Sequence, residues 1–437
     1  MMSLRRSAFY VLVLLPIAVQ ADDTAALQTQ LTENQGVLQI EKRTYRISKP
    51  LKIDLNEIGP VSITGDGTAR IVMTGPGPAI HLVGTHEGSA NPETVKPNVW
   101  ENQRAPVISG IEIVGEHPKA EGILAEGTMQ LRISGVTIRR TQNAIRLAKR
   151  NRNVIISDCN LYENRGIGLY LDDVNLHQIN VVGCHISYNG GGGVVTRAGA
   201  VRNLHITGCD IEGNMSEEGP PTANVLIDSR ESSGGTAEVA ITGCTIQHTR
   251  NGPDSANIRI FGGAQPIGGI KHPRIGHVTI TGNILSDAHK NIHLDNCQGV
   301  TVTGNTGWQA EDHNLLVVNC TALVVGPNAF DRNPYYNRSE RARRARSAVE
   351  FVGCEDCTIQ GLHISEVHGA PAGMLVKDCR RMNITGCTIL DCDGPELMLT
   401  GCQGCQVSGC LLSDEREEAE ETTMVVEGGK NNIVPSP

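Results

Sequence analysis

The sequence is poor in aromatic residues: Phe, Trp and Tyr together make up 3% of its 437 residues. A chain so short of rings does not organise its interior around large aromatic side chains. It also has few of the platforms that stack on sugars along a continuous cleft. A basic excess is missing too. Lys and Arg number 38 against 47 Asp and Glu, a formal charge of −9, which argues against a nucleic-acid partner. Beyond residue 20 no run of about 18 uncharged apolar residues occurs, so no membrane span is expected there. What is plentiful is glycine, at 49 residues, together with 14 cysteines. Abundant glycine suits a chain that turns often between thin strands.

The first segment reads as an address. Arg5 and Arg6 form a charged region, residues 8–19 are apolar, and Val19-Gln20-Ala21 ends on a small residue, as a cleavage site should. The expectation is a signal peptide over 1–21 and a mature chain from Asp22, secreted or periplasmic; an uncleaved anchor is the alternative.

The strongest signal is a recurring phrase: apolar-x-apolar-x-Gly, then Cys, Asn or an aliphatic, then x-apolar. It appears as VISGIEI at Val107, RISGVTI at Arg132, VIISDCNL at Val154, INVVGCHI at Ile179, LHITGCDI at Leu204 and VAITGCTI at Val239. It continues as VTITGNIL at Val278, VTVTGNTG at Val300, weakly LVVGPNAF at Leu323, then TIQGLHI at Thr358, MNITGCTI at Met382 and CQVSGCLL at Cys405. Most intervals are 22 to 25 residues, and the longer ones, such as the 35 between Cys209 and Cys244, contain polar inserts. A fixed period of this size means a solenoid. Apolar–polar alternation on both sides of the glycine gives two short strands meeting at a tight bend. A leucine-rich repeat has a similar period but needs a helical limb, and here both limbs alternate with period two. A third strand per repeat carries a second cysteine column: NIHLDNC, LLVVNC, AVEFVGC, GMLVKDC and ELMLTGC end in Cys297, Cys320, Cys354, Cys379 and Cys402.

The expected fold is therefore all-β: a single-stranded right-handed parallel β-helix over 22–437, opened by a short capping helix over 22–35 with Asp or Thr as its capping residue. The cysteines admit two readings. In an exported protein disulfides are usual, and rung neighbours about 4.8 Å apart could be bridged. Long in-register columns of a small apolar side chain instead favour reduced, stacked thiols, the reading preferred here. The Cys354-x-x-Cys357 and Cys402-x-x-Cys405 spacings resemble a zinc ribbon, but the coil already explains them. No metal site is assigned.

The stretch Asp22-Asp23-Thr24-Ala25-Ala26-Leu27-Gln28, followed by GVLQIEKRTYRI from Gly36, resembles the openings of the pectate lyase-like superfamily. Lys42-Arg43 stand where that pattern favours Pro-x-Gly. The resemblance implies that the third strand of each rung lines a substrate groove. Strand alternation then gives two outward columns. One runs Arg146, Tyr170, Val195, Leu226, Arg259, His293, Leu316, Glu350, Leu375, Met398. The other runs Ala148, Asp172, Arg197, Asp228, Phe261, Asp295, Val318, Val352, Lys377, Thr400.

Polar residues cluster on consecutive rungs of these columns. The candidate catalytic residues are Asp172, Asp228, His293 and Asp295, and the candidate substrate-binding residues are Tyr170, Arg197, Arg259 and Trp308. A solvated face with cross-rung ion pairs would give the same pattern. Two reactions suit the cluster. Asp172 and Asp228, or Asp228 and Asp295, stand two rungs apart, roughly 9–10 Å, near the upper end for an inverting glycosidase. Alternatively a carboxylate, directly or through Ca²⁺, neutralises a uronate while His293 removes a ring proton, as in a lyase. His289 and His313 lie in turns nearby. The polygalacturonase signature is incomplete: Asp172-Asp173 is present, but Gly-His-Gly and the groove Arg-x-Lys are not, so no family-defining catalytic residue carries over. Long inserts at 214–224, 251–256 and 262–277 are placed to wall a site. The basic run 331–346 is either a solvated helix or a clamp for an acidic polysaccharide or a partner. The acidic run 414–421 is expected to be an exposed loop before a final strand at 423–427. The leading expectation is an exported polysaccharide hydrolase or lyase, as a monomer or small homo-oligomer. The alternative is a non-catalytic glycan-binding or surface structural protein.

Overall fold

In the computed structural model, which describes residues 21–435 apart from 89, 233, 418 and 420–422, every repeat contributes strands to three parallel ladders. The signal segment expected at 1–21 lies, apart from Ala21, outside the described residues. The first ladder, sheet 1, contains Ile167–Val182 in its leading half, then Gly192–Arg197, Ala223–Asp228, Ala256–Phe261, Lys290–Asp295 and His313–Val318. Sheet 2 carries Ala200–Thr207, Gly235–Thr242, Gly276–Thr281 and Gln298–Thr303. Sheet 3 carries His185–Ser187, Asp210–Glu212, Thr245–Gln247 and Ile284–Ser286. Each strand bonds to its counterpart one coil turn away, which is the right-handed parallel β-helix the phrase predicts.

The glycine of the phrase has a physical reason. It sits at the bend between sheets 2 and 3 with φ near +60°, as at Gly183 (60°) and Gly208 (60°), a left-handed conformation that costs other residues more. Asp158 takes the same bend at φ 55°, as a residue whose short polar side chain tolerates it. At the weak repeat Gly326 is not left-handed, and its flanking strands shrink to Val324–Val325 and Ala329–Phe330.

Inside the coil, one aliphatic core runs from Leu27 to Val407. All 14 cysteines are free thiols, and all but the half-buried Cys410 are buried. Their hydrogens point to backbone carbonyls, as from Cys184 Sγ to Val182 O (3.4 Å). A second internal ladder was not anticipated. Asn164, Asn189, Asn214, Asn224, Asn257, Asn291 and Asn314 each pass an amide hydrogen to the next, at 2.7–2.9 Å, at the bend between sheets 3 and 1. Asn283, Asn305 and Asn328 do the same where the first cysteine column gives way.

The helix Thr24–Glu33 covers the first rung with Leu27 and Leu31. Its capping differs from expectation. Asp23, at the N-cap, makes no side-chain cap bond; it accepts instead from the Arg46 amide (2.8 Å). Asp22 bonds the Thr24 amide (3.0 Å), so the cap function moves one residue outward. The final strand is Met424–Glu427.

Candidate functional site

Both outward columns form in the register expected. Arg146 pairs with Tyr170, Tyr170 with Val195, Leu226 with Arg259 and Arg259 with His293. Asp172 pairs with Arg197, Arg197 with Asp228, Asp228 with Phe261 and Phe261 with Asp295. The inserts rise on both margins of this face. On the entry side of the strands, residues 214–224 help enclose a cleft of about 490 Å³ lined by Tyr170, Arg197, Arg165, Ser216 and Thr222. On the exit side, the 262–277 insert folds back through antiparallel contacts, Gly263 with Arg274 and Ile267 with Ile270. It borders a cleft of about 790 Å³ that reaches Arg230 and Asn296.

The charged residues fall into distinct local arrangements. Arg146 donates to Glu121 (2.9 Å) and to Asp172 (3.3 Å). Burial, with Asp172 alongside, pushes the Tyr170 phenol up to about 12. Arg197 is exposed and makes no hydrogen bond or ion pair among the described residues, so its fork is free to meet an anion in the entry-side cleft. Asp228 is gripped by Arg230 through two bonds of 2.8 and 2.6 Å. Burial raises the Asp228 carboxyl, but the Arg230 bonds and charge outweigh it, and the net shift is downward. The Arg230 guanidinium also lies 3.9 Å above the Phe261 ring. One rung further, Asp295 is raised by burial, opposed only in part by the Asn296 amide at 2.7 Å and the charge of Arg230. Asp228 and Asp295 thus sit on one column with their acidities driven apart.

Arg259 and His293 form a different unit. Arg259 is 2% exposed and donates to His293 Nδ1 (3.1 Å), to the Asp254 carbonyl (2.7 Å) and carboxylate (3.0 Å), and to Thr222 O (3.3 Å). Burial, then the charges of Arg259 and Lys290, take the His293 imidazole down to about 3. His289 approaches Asp312 (3.3 Å) and His313 approaches Glu350 (3.1 Å). Trp308 is not on the sheet 1 face. It ends a strand of sheet 3 and packs against Tyr336 of the 331–346 insert, ring centroids 5.3 Å apart. That insert is more than a solvated helix. Only Glu340–Arg344 is helical, Arg332 is buried beneath it on the carbonyls of Glu366, Ala342 and Arg343, and Arg341 pairs with Glu311 (2.6 Å).

Sequence reasoning missed Arg230, Asp254 and the role of Phe261. Arg230 and Asp254 come from turns, where strand alternation says nothing. The nearest available hint was the Asp-Ser-Arg spacing at 228–230, two residues being enough for a local carboxylate–guanidinium pair. Among the described residues no three His, Cys, Asp or Glu side chains group to hold a metal ion.

Residues 99–246 match a family model described as "Right handed beta helix region". The fold aligns with pre-mature bacteriophage phi29 gene product 12 (TM-score 0.62, 12% identity), covering 92% of this chain and 55% of that one. It also aligns with the tailspike protein gp49 from Pseudomonas phage LKA1 (TM-score 0.50, 13% identity), covering 94% and 74%. The Azotobacter vinelandii mannuronan C-5 epimerase AlgE4 A-module aligns over 95% and 96% at TM-score 0.37 and 12% identity. This chain spans about half the length of the phi29 protein. No curated protein matches the sequence. Identities this low speak for the fold alone. The chain has the fold of a right-handed parallel β-helix repeat protein.

Proposed function

We propose that the walled face of sheet 1 binds an extended polysaccharide and hydrolyses it, with Asp295 as proton donor and Asp228 as the carboxylate that activates water. One observation carries this reading: two carboxylates share one outward column, two rungs apart, with Asp228 held ionised and Asp295 held toward its protonated form. Divergent acidities on neighbouring carboxyls are how a single site supplies both an acid and a base. Two rungs correspond to roughly 9–10 Å, at the wide end for inversion. Arg197 and Tyr170, lining the entry-side cleft, are placed to hold a sugar with an anionic substituent. Elimination is less well served, because His293 near pKa 3 is a feeble proton acceptor and its Nδ1 is occupied by Arg259. In the same reading the protein is exported, to the periplasm or medium, where such polymers are met.

A second reading, glycan binding without turnover, is favoured by one feature. Asp172 and Asp228 are already paired with Arg146 and Arg230, as in a structural network. The two readings separate in a screen of acidic and neutral polysaccharides with the wild type and Asp295→Asn. New reducing ends without the absorbance of a new double bond, reduced by about 10²–10⁴-fold in Asp295→Asn, support hydrolysis. Binding without product supports the second reading. An unsaturated product would overturn the hydrolase assignment.

A further inference from the structure

Away from the groove, a cationic cluster lies where sheet 1 turns into sheet 2, beneath the 85–105 insert. Asn151 points into the coil, bonding Thr128 (2.6 Å) and Ala125 O (3.2 Å), so its neighbours Arg150 and Arg152 both point outward. One rung away His177 is in register with Arg152, and Arg202 follows it. On the other side the His86 amide donates to Gly127 O (3.0 Å), and Gly127 lies opposite the irregular step around Lys149 and Arg150 without adding a side chain. The insert seals the region: Val95 and Val99 pack on Met129, the rung neighbour of Arg152.

Within the cluster, His86 and Arg150 carry buried hydrogen-bonding atoms that are left without partners. His86 is 1% exposed, and neither ring nitrogen has a hydrogen-bond partner. Arg150 gives Nη1 to Asn175, but its Nε and Nη2 are buried without partners, and it makes no ion pair among the described residues. Nε and Nη2 form the edge of a guanidinium that meets two oxygens of an oxyanion in parallel. The His177 Nδ1 is likewise buried and unpartnered. Burial and the charges of Arg152, Arg150 and Arg202 lower the His177 imidazole against the opposing charge of Glu238. Buried donors without partners, as on His86 and Arg150, are destabilising unless something satisfies them.

We infer that His86 and the Nε/Nη2 edge of Arg150 form a binding site for a small oxyanion (phosphate, sulfate or carboxylate), with Arg152 adding charge. Two parallel bonds come from Arg150 and a third from His86. His86 is 1% exposed beneath the insert, so the ligand is a free ion or a single projecting substituent rather than a polymer strand. This site is independent of sheet 1 catalysis, and its test does not depend on turnover.

The experiment is calorimetric titration of the full chain with inorganic phosphate, inorganic sulfate and sodium glucuronate, against sodium chloride at equal ionic strength, alongside melting temperatures. The expected result is saturable one-site binding with an upward shift in melting temperature. Arg150→Gln should weaken it by roughly ten- to a hundredfold, the effect of losing a charge-assisted pair of bonds. Binding of phosphate or sulfate identifies a free inorganic anion, and binding of glucuronate alone identifies a saccharide carboxylate. His86→Gln provides a second variant should Arg150→Gln fail to fold. No saturable heat from any of the three probes, or wild-type affinity in both variants, overturns the proposal.

Discussion

Replacing Asn189 with alanine should be among the most damaging single changes away from the aliphatic core. Its side chain is fully buried and makes four hydrogen bonds. Nδ2 donates to Leu161 O (2.9 Å) and Asn214 Oδ1 (2.7 Å), and Oδ1 accepts from the Asn164 amide (3.2 Å) and Asn164 Nδ2 (2.8 Å). Each bond contributes about 1 kcal/mol net, and an orphaned buried donor costs more, so the loss should be about 4–6 kcal/mol. In a coil whose rungs contact only their neighbours, the damage should concentrate on the turns around 161–214. The assay is the shift in denaturant midpoint, read with amide hydrogen exchange across those rungs. Asn160→Ala, an exposed position in the preceding repeat, is the control and should cost under about 0.5 kcal/mol. A loss below about 1 kcal/mol for Asn189→Ala would show that the amide ladder is decorative.

Two further outcomes are expected. His86 and His293 have folded pKa values near 4 and 3, below the ordinary 6.5. The unfolded chain therefore binds more protons in acid, and this stability is present above about pH 6.5 and drains away as pH falls toward 4 and then 3. For His86 the loss is about 3 kcal/mol in chloride buffer, and a His86→Gln/His293→Gln variant whose melting temperature tracks the wild type between pH 7 and 4 refutes it. A thiol reagent should titrate about one cysteine, the half-buried Cys410, in the native protein, and all 14 after unfolding without reductant. Fewer than 14 in the unfolded chain would reveal disulfides.

The coil was readable because its bend demands a rare backbone conformation. A left-handed residue at nearly every such bend favours Gly, or Asp as at Asp158, and the flanking alternation then fixes which side chains leave the core. That is why both outward columns came out in register, rung by rung. The amide ladder escaped notice because its members change position along the chain. Asn164, Asn189 and Asn214 follow sheet 3 strands, whereas Asn224, Asn257, Asn291 and Asn314 sit at the starts of sheet 1 strands, with inserts in between. Partners drawn from turns, such as Arg230 on Asp228, obey no strand period. The depth of His293 depended on an Arg259–Asp254 contact that its own repeat does not contain. Trp308 was placed by proximity in sequence, and the bend before His313 turns it onto another face.

The internal amides and thiols also act as a gauge for length. An asparagine in the ladder meets an asparagine on the next turn, so duplicating or excising one whole repeat leaves every such match intact. Adding a single residue within a strand would break the match at that turn unless a bulge absorbed it, as the irregular step after Ala148 does. Variation in this molecule should therefore come in complete turns, each moving the far wall of the binding face by about 4.8 Å. Under the proposed polysaccharide-binding function, the length of saccharide accommodated would then change in steps rather than continuously.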